Sequence, residues 1–177
     1  MRIVDFLYFA PGVKFDEVNL NGYSFPEQFG RRIDGFYIEP AEECVKRGYT
    51  FAAGALLVSC VDALARLRFG GPVGKRFRKF VREELHSFRD GQLAERFYED
   101  FRNGLVHECR LKHGGQFSLE TRMTVVQASG ILIVNPGCLA TEVRAALRLY
   151  LDTLNRDQGE RARLANHLTR HSRNQTG

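Results

Sequence analysis

The chain has 177 residues, 44% hydrophobic and 27% charged, with a formal net charge of +5, which suits one domain with a sizeable core and favours anionic partners. Cys44, Cys60, Cys109 and Cys138 show no C-x-x-C spacing, which excludes a disulfide framework and argues for reduced, mostly buried thiols of a cytoplasmic protein. Asp5 interrupts the first apolar run, so no signal peptide is expected. The most hydrophobic stretch, Phe51 to Val61, falls short of the ~20 residues that span a bilayer, so no membrane partner is expected either.

Residues from Met1 to about Tyr23 alternate loosely between apolar and polar and contain Pro11, Gly12 and Gly22, predicting a strand or two with turns. Ser24-Phe25-Pro26-Glu27 has the capping-box pattern. It opens a short helix that carries Phe29 and Ile33 on one face and stops near Gly35. Residues 1–39 thus form a short α/β N-terminal appendage packed on a helical domain. Pro40 suits the first turn of the next helix, predicted to run unbroken to Gly70-Gly71-Pro72. Val45, Tyr49, Leu56, Cys60, Leu64 and Leu67 make one stripe, with Phe51, Ala55, Val58 and Ala65 opposite, so this helix should be central. The glycines before Lys75 have the wrong spacing for a phosphate loop and no Ser or Thr succeeds the lysine, leaving a helix-breaking connector.

A basic amphipathic helix, KRFRKFVREEL, comes next with Phe77, Phe80, Val81 and Leu85 inward. A further helix begins near Asp90 or Gln92 and is expected to end at Gly114-Gly115. TRMTVVQ and GILIV flank Ala128-Ser129 as a β-hairpin near 117–135. The last helix has Leu139, Val143, Ala146, Leu147, Tyr150, Leu151 and Leu154 as its stripe. Residues 157–177 are polar and basic, a flexible tail. The expected fold is mainly α: a bundle of about four to five helices over 40–156, with a small hairpin and the N-terminal appendage.

The helix after Asp90 carries the chemistry. Its segment Arg102-Asn103-Gly104-Leu105-Val106-His107 sets a permanent planar cation and an imidazole five positions apart. On a wheel of ~100° per residue from Leu93, the apolar residues fill roughly 20° to 160°, Arg102 falls near 180°, Asn103 near 280° and His107 near 320°. The pair straddles the buried stripe, and a two-fold axis would bring a second pair opposite the first. Gly104 costs up to ~1 kcal/mol of helix propensity, for which close approach of another backbone would be one return.

Read as R-N-x-x-x-H on a late helix of a helical domain, FRNGLVH resembles the signature of the HEPN superfamily, with the likeness covering mainly Tyr49 to Lys112. The resemblance implies a metal-independent endoribonuclease that works as a homodimer, with Arg102 and His107 catalytic and Asn103 the polar neighbour of the arginine. It further implies a toxin or defence effector, held by an antitoxin or other regulatory protein. Cys109 stands where some toxin members carry a tyrosine that a partner enzyme modifies, which puts that mode of control in doubt.

Asp62 is the only charged residue between Thr50 and Ala65. A lone carboxylate on a buried helix needs a partner. Arg102 or His107 is the expected one, with Asp62 orienting the catalytic pair. Lys75, Arg76, Arg78, Lys79 and Arg82 form a basic cluster suited to an RNA backbone, although a merely solvated face remains open. Cys109 and His113 stand four apart but lack further ligands, so no metal and no cofactor is expected. Two rivals stand beside the enzyme: a non-catalytic HEPN-like module gripping a nucleotide, RNA or protein, and a purely structural dimeriser.

Overall fold

The computed structural model describes residues 2–3, 6–108 and 110–173, so Asp5, Cys109 and the last four residues lie outside it. The fold is mainly α with two three-stranded sheets. It divides into two compact units, one of residues 1–36 with 147–177 and one of residues 37–146. The expected division at 39/40 and 156/157 therefore shifts, and the two chain ends share one unit.

In the first unit β1 (Arg2–Ile3), β2 (Phe6–Ala10) and β3 (Val13–Lys14) form an antiparallel meander. Helix α1 (Phe25–Ile33) starts from Ser24, whose side chain makes no cap hydrogen bond, so the capping box is absent and Pro26 fixes the first turn instead. Gly35 does not end the helix as expected. It sits in a π turn (Asp34–Ile38), where the ring of Pro11 would lie 2.6 Å from a Cβ. Phe9 of β2 meets Phe25 of α1, and Phe25 meets Phe29, as tilted ring pairs, and Phe29 meets Tyr150 edge-on at 6.0 Å. The tail expected to be flexible is helical: α8 (Gln158–Arg173) opens with Asp157 Oδ1 accepting from Glu160 N at 3.0 Å and buries Leu164 and Ala165.

In the second unit the helix expected to run from Pro40 to Phe69 is two. Gly48 takes φ 75° and ends α2 (Glu39–Lys46), and α3 (Thr50–Phe69) begins afresh. By length and composition α3 could cross a membrane, a longer apolar element than the sequence stretch suggested, and half of it is buried inside the protein. It is not enclosed on all sides, because Tyr49 and Phe51 are exposed at its N-terminal end. Helix α4 (Val73–Glu84) comes after the Gly70-Gly71-Pro72 connector, where both glycines have positive φ.

The motif-bearing helix spans 91–108, with α5 (Gly91–Arg96) and α6 (Gly104–Glu108) on either side of a π segment, and ends six residues before the Gly114-Gly115 stop that was expected. Strand β4 (Gln116–Phe117) pairs parallel with β6 (Ile131–Val134), which pairs antiparallel with β5 (Val125–Ala128). Ser129 and Gly130 turn this hairpin with φ 49° and 78°, the two positive values a type I′ turn requires. Asn135 Oδ1 caps α7 (Pro136–Arg156) by accepting from Gly137 N and Cys138 N, and Leu139, Val143, Ala146, Leu147, Tyr150 and Leu154 are all buried along it. Phe77, Phe88 and Phe101 surround Phe97 with ring centres 5.7, 4.6 and 5.4 Å away. Of the described cysteines only Cys60 is buried, whereas Cys44 and Cys138 are half-exposed free thiols.

Candidate active site

Asp90 starts the motif helix by accepting from Gln92 N at 2.6 Å and Leu93 N at 3.4 Å. The helix is not uniformly α. Residues Gly91–Arg96 are α-helical, Phe97–Asn103 form a π segment and Gly104–Glu108 return to α. A π turn places more residues in each revolution, a deviation that concentrates at functional sites. The wheel of ~100° per residue therefore loses phase within the motif itself. The buried face comprises Ala94, Phe97, Asp100, Phe101 and Gly104.

Arg102 is drawn inward, with its side chain 12% exposed. Its Nη2 donates to Asp62 Oδ2 at 3.3 Å and its Nη1 to Asn103 Oδ1 at 3.3 Å, while the guanidinium lies 5.9 Å from the centre of the Tyr98 ring. Asn103 Nδ2 in turn donates to Glu99 Oε2 at 3.0 Å. Asp62 on α3 thus faces Arg102, one of the two partners expected for it. Arg102 Nε and Asp62 Oδ1 are buried without a hydrogen bond from the described residues. His107 is exposed, and among the described residues it makes no hydrogen bond or ion pair. Within one molecule the structure gives Arg102 and His107 no common partner: one is tied beneath α3 and the other faces solvent.

Gly104 has a different reason from the one expected. A Cβ there would lie 2.3 Å from the carbonyl oxygen of Arg110 and 3.2 Å from the backbone of Leu111 and Lys112. The backbone that approaches Gly104 is the chain's own returning turn, so this glycine gives no support to a contact between two copies. Glu108 clips the turn through Lys112 at 2.7 Å and Arg110 at 2.6 Å. The hydrogen bond from Lys112, ahead of the charge of Arg110, holds the Glu108 carboxyl below the ordinary carboxylate range. Gly104→Ala should regain up to ~1 kcal/mol of helix propensity and lose more to the clash, which no side-chain rotation relieves. A net destabilisation of about 1–3 kcal/mol is expected in chemical denaturation.

The basic cluster divides. Lys75, Arg78, Lys79 and Arg82 line a groove of ≈ 340 Å³ together with Glu83 and Glu95. Arg76 is not among the lining residues: it donates to Gly71 O at 2.8 Å across the connector. Phe77 and Phe80 are buried, which excludes them as stacking platforms for bases. Arg78 pairs with Glu95 at 3.1 Å and also covers Tyr98, its guanidinium 4.6 Å from the ring centre. Tyr98 is therefore the common neighbour of a groove arginine and of Arg102.

One constellation is absent from the sequence reading. Asp100, 3% exposed, accepts from Arg96 Nε at 3.1 Å and Nη2 at 3.0 Å on one oxygen and meets His113 Nδ1 at 2.7 Å on the other. The available signal is a carboxylate flanked by Phe97 and Phe101, at the rim of the apolar arc, with an arginine four residues before it. His113, which the spacing sets beside Cys109, turns to Asp100, and Cys109 lies outside the described residues.

Comparison of the chain with protein-family models, with curated proteins and with solved structures gives no match. The candidate site therefore rests on its own geometry: a clamped arginine, an exposed imidazole one and a half turns further along the helix, and a cationic groove joined to the arginine through one aromatic ring.

Proposed function

We propose that the protein is a metal-independent endoribonuclease of the HEPN type, cytoplasmic and active as a homodimer, with Arg102, Asn103 and His107 at its centre. The observation that carries this reading is the hold on Arg102. Asp62, Asn103 and Tyr98 fix a guanidinium that would otherwise sample many rotamers, and fixed charge stabilises a transition state more than mobile charge does. In the reaction, His107 takes the proton of the RNA 2′-hydroxyl as its oxygen bonds to the adjacent phosphorus. The bond from phosphorus to the 5′-oxygen breaks, and that oxygen leaves with a proton. Arg102 neutralises the phosphoryl oxygens, and the products are a 2′,3′-cyclic phosphate and a 5′-hydroxyl. Because the two groups share no partner within one molecule, the arginine acting with a given His107 comes from the second copy. As a toxin or defence effector such an activity would need a restraining protein partner.

A non-catalytic RNA- or nucleotide-binding module is the second reading, favoured by the pairing of Arg102 with Asp62, which spends part of the arginine's charge inside the protein. Incubating the purified protein with RNA and excess chelator separates the two. Cyclic-phosphate ends produced undiminished by chelator, from a protein that sediments as a dimer, are expected for the enzyme. Retention of RNA without cleavage would establish the module, and cleavage that chelator abolishes would remove the mechanism.

For either reading the groove makes a prediction of its own. Replacing Lys75 and Lys79 together with glutamine should weaken RNA binding and reduce the slope of log affinity against log salt by about 1 for every phosphate no longer neutralised. Arg76→Gln, outside the groove, should leave that slope unchanged in the same fluorescence-anisotropy titration.

A further inference from the structure

Cleavage by a 2′-hydroxyl needs two proton transfers, one from the nucleophile and one to the leaving oxygen, and each copy of the R-x-x-x-x-H segment supplies a single imidazole, which the dimer reading sets against an arginine of the other copy. We propose that His113, aimed by Asp100, is the second proton-transfer group, giving its proton to the 5′-oxygen. This rests on the endoribonuclease reading.

The placement is specific. The imidazole is 70% exposed whereas the carboxylate that holds it is 3% exposed. Two donor atoms of Arg96 fix the other carboxylate oxygen, so Asp100 cannot swing away from the ring. A carboxylate oxygen at 2.7 Å from Nδ1 accepts a hydrogen carried there, which leaves Nε2 outside that bond on a largely exposed ring. This is the arrangement of a base or acid oriented by a third group. The backbone is held as firmly. Lys112 N donates to Asp100 O at 2.8 Å and Gly115 N to Lys112 O at 2.8 Å, and His113 itself takes φ 48°, a left-handed conformation uncommon outside glycine. A strained residue held by its surroundings is grounds for a functional hypothesis.

The site also lies beside the motif. The turn that presents His113 runs back over Gly104. Asp100 lies on the π segment that also carries Arg102 and Asn103, so the carboxylate that aims His113 belongs to the element that bears the motif. The balance is complete: His107 gains the proton of the 2′-hydroxyl, the oxygen–phosphorus bond forms, the bond to the 5′-oxygen breaks, and His113 Nε2 protonates that oxygen. Solvent then restores both rings.

The test uses a short RNA with its normal scissile 5′-oxygen and the same RNA with sulfur in that bridging position, which departs as thiolate without a proton. His113→Asn suits the left-handed backbone, since asparagine tolerates it. It is expected to slow cleavage of the oxygen substrate by roughly 10²–10⁴-fold and to leave cleavage of the sulfur substrate within a few-fold of wild type. His107→Ala is expected to slow both. Equal slowing of the two substrates by His113→Asn, or none, would overturn the assignment while leaving the endoribonuclease intact. A wild-type protein that cleaves neither substrate removes the parent reading and this one with it. Milder selective slowing by His113→Gln, with unchanged melting, provides the second variant.

Discussion

Replacing His107 with alanine is expected to lower RNA cleavage by about 10²–10⁴-fold, the usual contribution of a positioned proton-transfer group, with no measurable change in thermal unfolding. The second half of that expectation comes from exposure. His107 makes no hydrogen bond or ion pair among the described residues and projects from the last α turn of the motif helix, so its removal strips nothing from the core and surface changes of this kind stay within about 0.5 kcal/mol. The same cannot be said of Arg102. Arg102→Ala would leave Asp62, already carrying one buried unpartnered oxygen, without its cation, and activity loss there would mix chemistry with instability. His107→Ala is thus the cleaner probe. Full cleavage by this variant, measured with product-end analysis, would contradict the assignment of His107 to the reaction.

Phe97→Ala should destabilise the protein more than any of these changes, by about 3–5 kcal/mol. The ring is fully buried and stands between Phe77 of α4, Phe88 and Phe101, so its deletion leaves a cavity lined by three rings that cannot collapse together from different elements. Loss of three ring pairs, each worth roughly 0.5–1.5 kcal/mol beyond area burial, is part of that figure. At roughly 2–4 °C per kcal/mol for a chain of this size, a fall of about 6–20 °C in Tm is expected by calorimetry. Because Phe97 opens the π segment that contains Arg102 and Asn103, activity should be lost at temperatures where α3 and α4 remain folded. Uniform melting of all helices in one step with the wild-type Tm would show that the ring cluster does not hold the motif helix.

Much of the helical framework was legible in the residues. Apolar spacing located the stripe of α7 from Leu139 to Leu154, Pro40 marked the start of α2, and Ala128-Ser129 marked the hairpin turn to within one residue of the observed Ser129-Gly130. These signals are local, and each depends on a few neighbouring side chains that share a face or a backbone conformation. The break at Gly48 was missed because a left-handed glycine interrupts the backbone without interrupting the apolar pattern on either side. Helix α8 is not legible because Ala162, Leu164, Ala165 and Leu168 are scattered in a polar run, and Leu164 and Ala165 are buried only once something covers them.

The chemistry on offer at the candidate site is written in residue identities: an arginine, an asparagine and a histidine on one helix, a lone carboxylate on α3 and a run of cations on α4. Packing between elements settles how these groups are used. It sent Arg102 to Asp62, placed Arg76 apart from the other cations, assigned Gly104 to the returning turn and joined His113 to Asp100. The reason is that spacing along a chain encodes direction around one helix axis only while that helix keeps a single pitch. A π segment changes the pitch at Phe97–Asn103, and side-chain contacts between residues 40 and 13 positions apart depend on which elements meet in space, which no local pattern records.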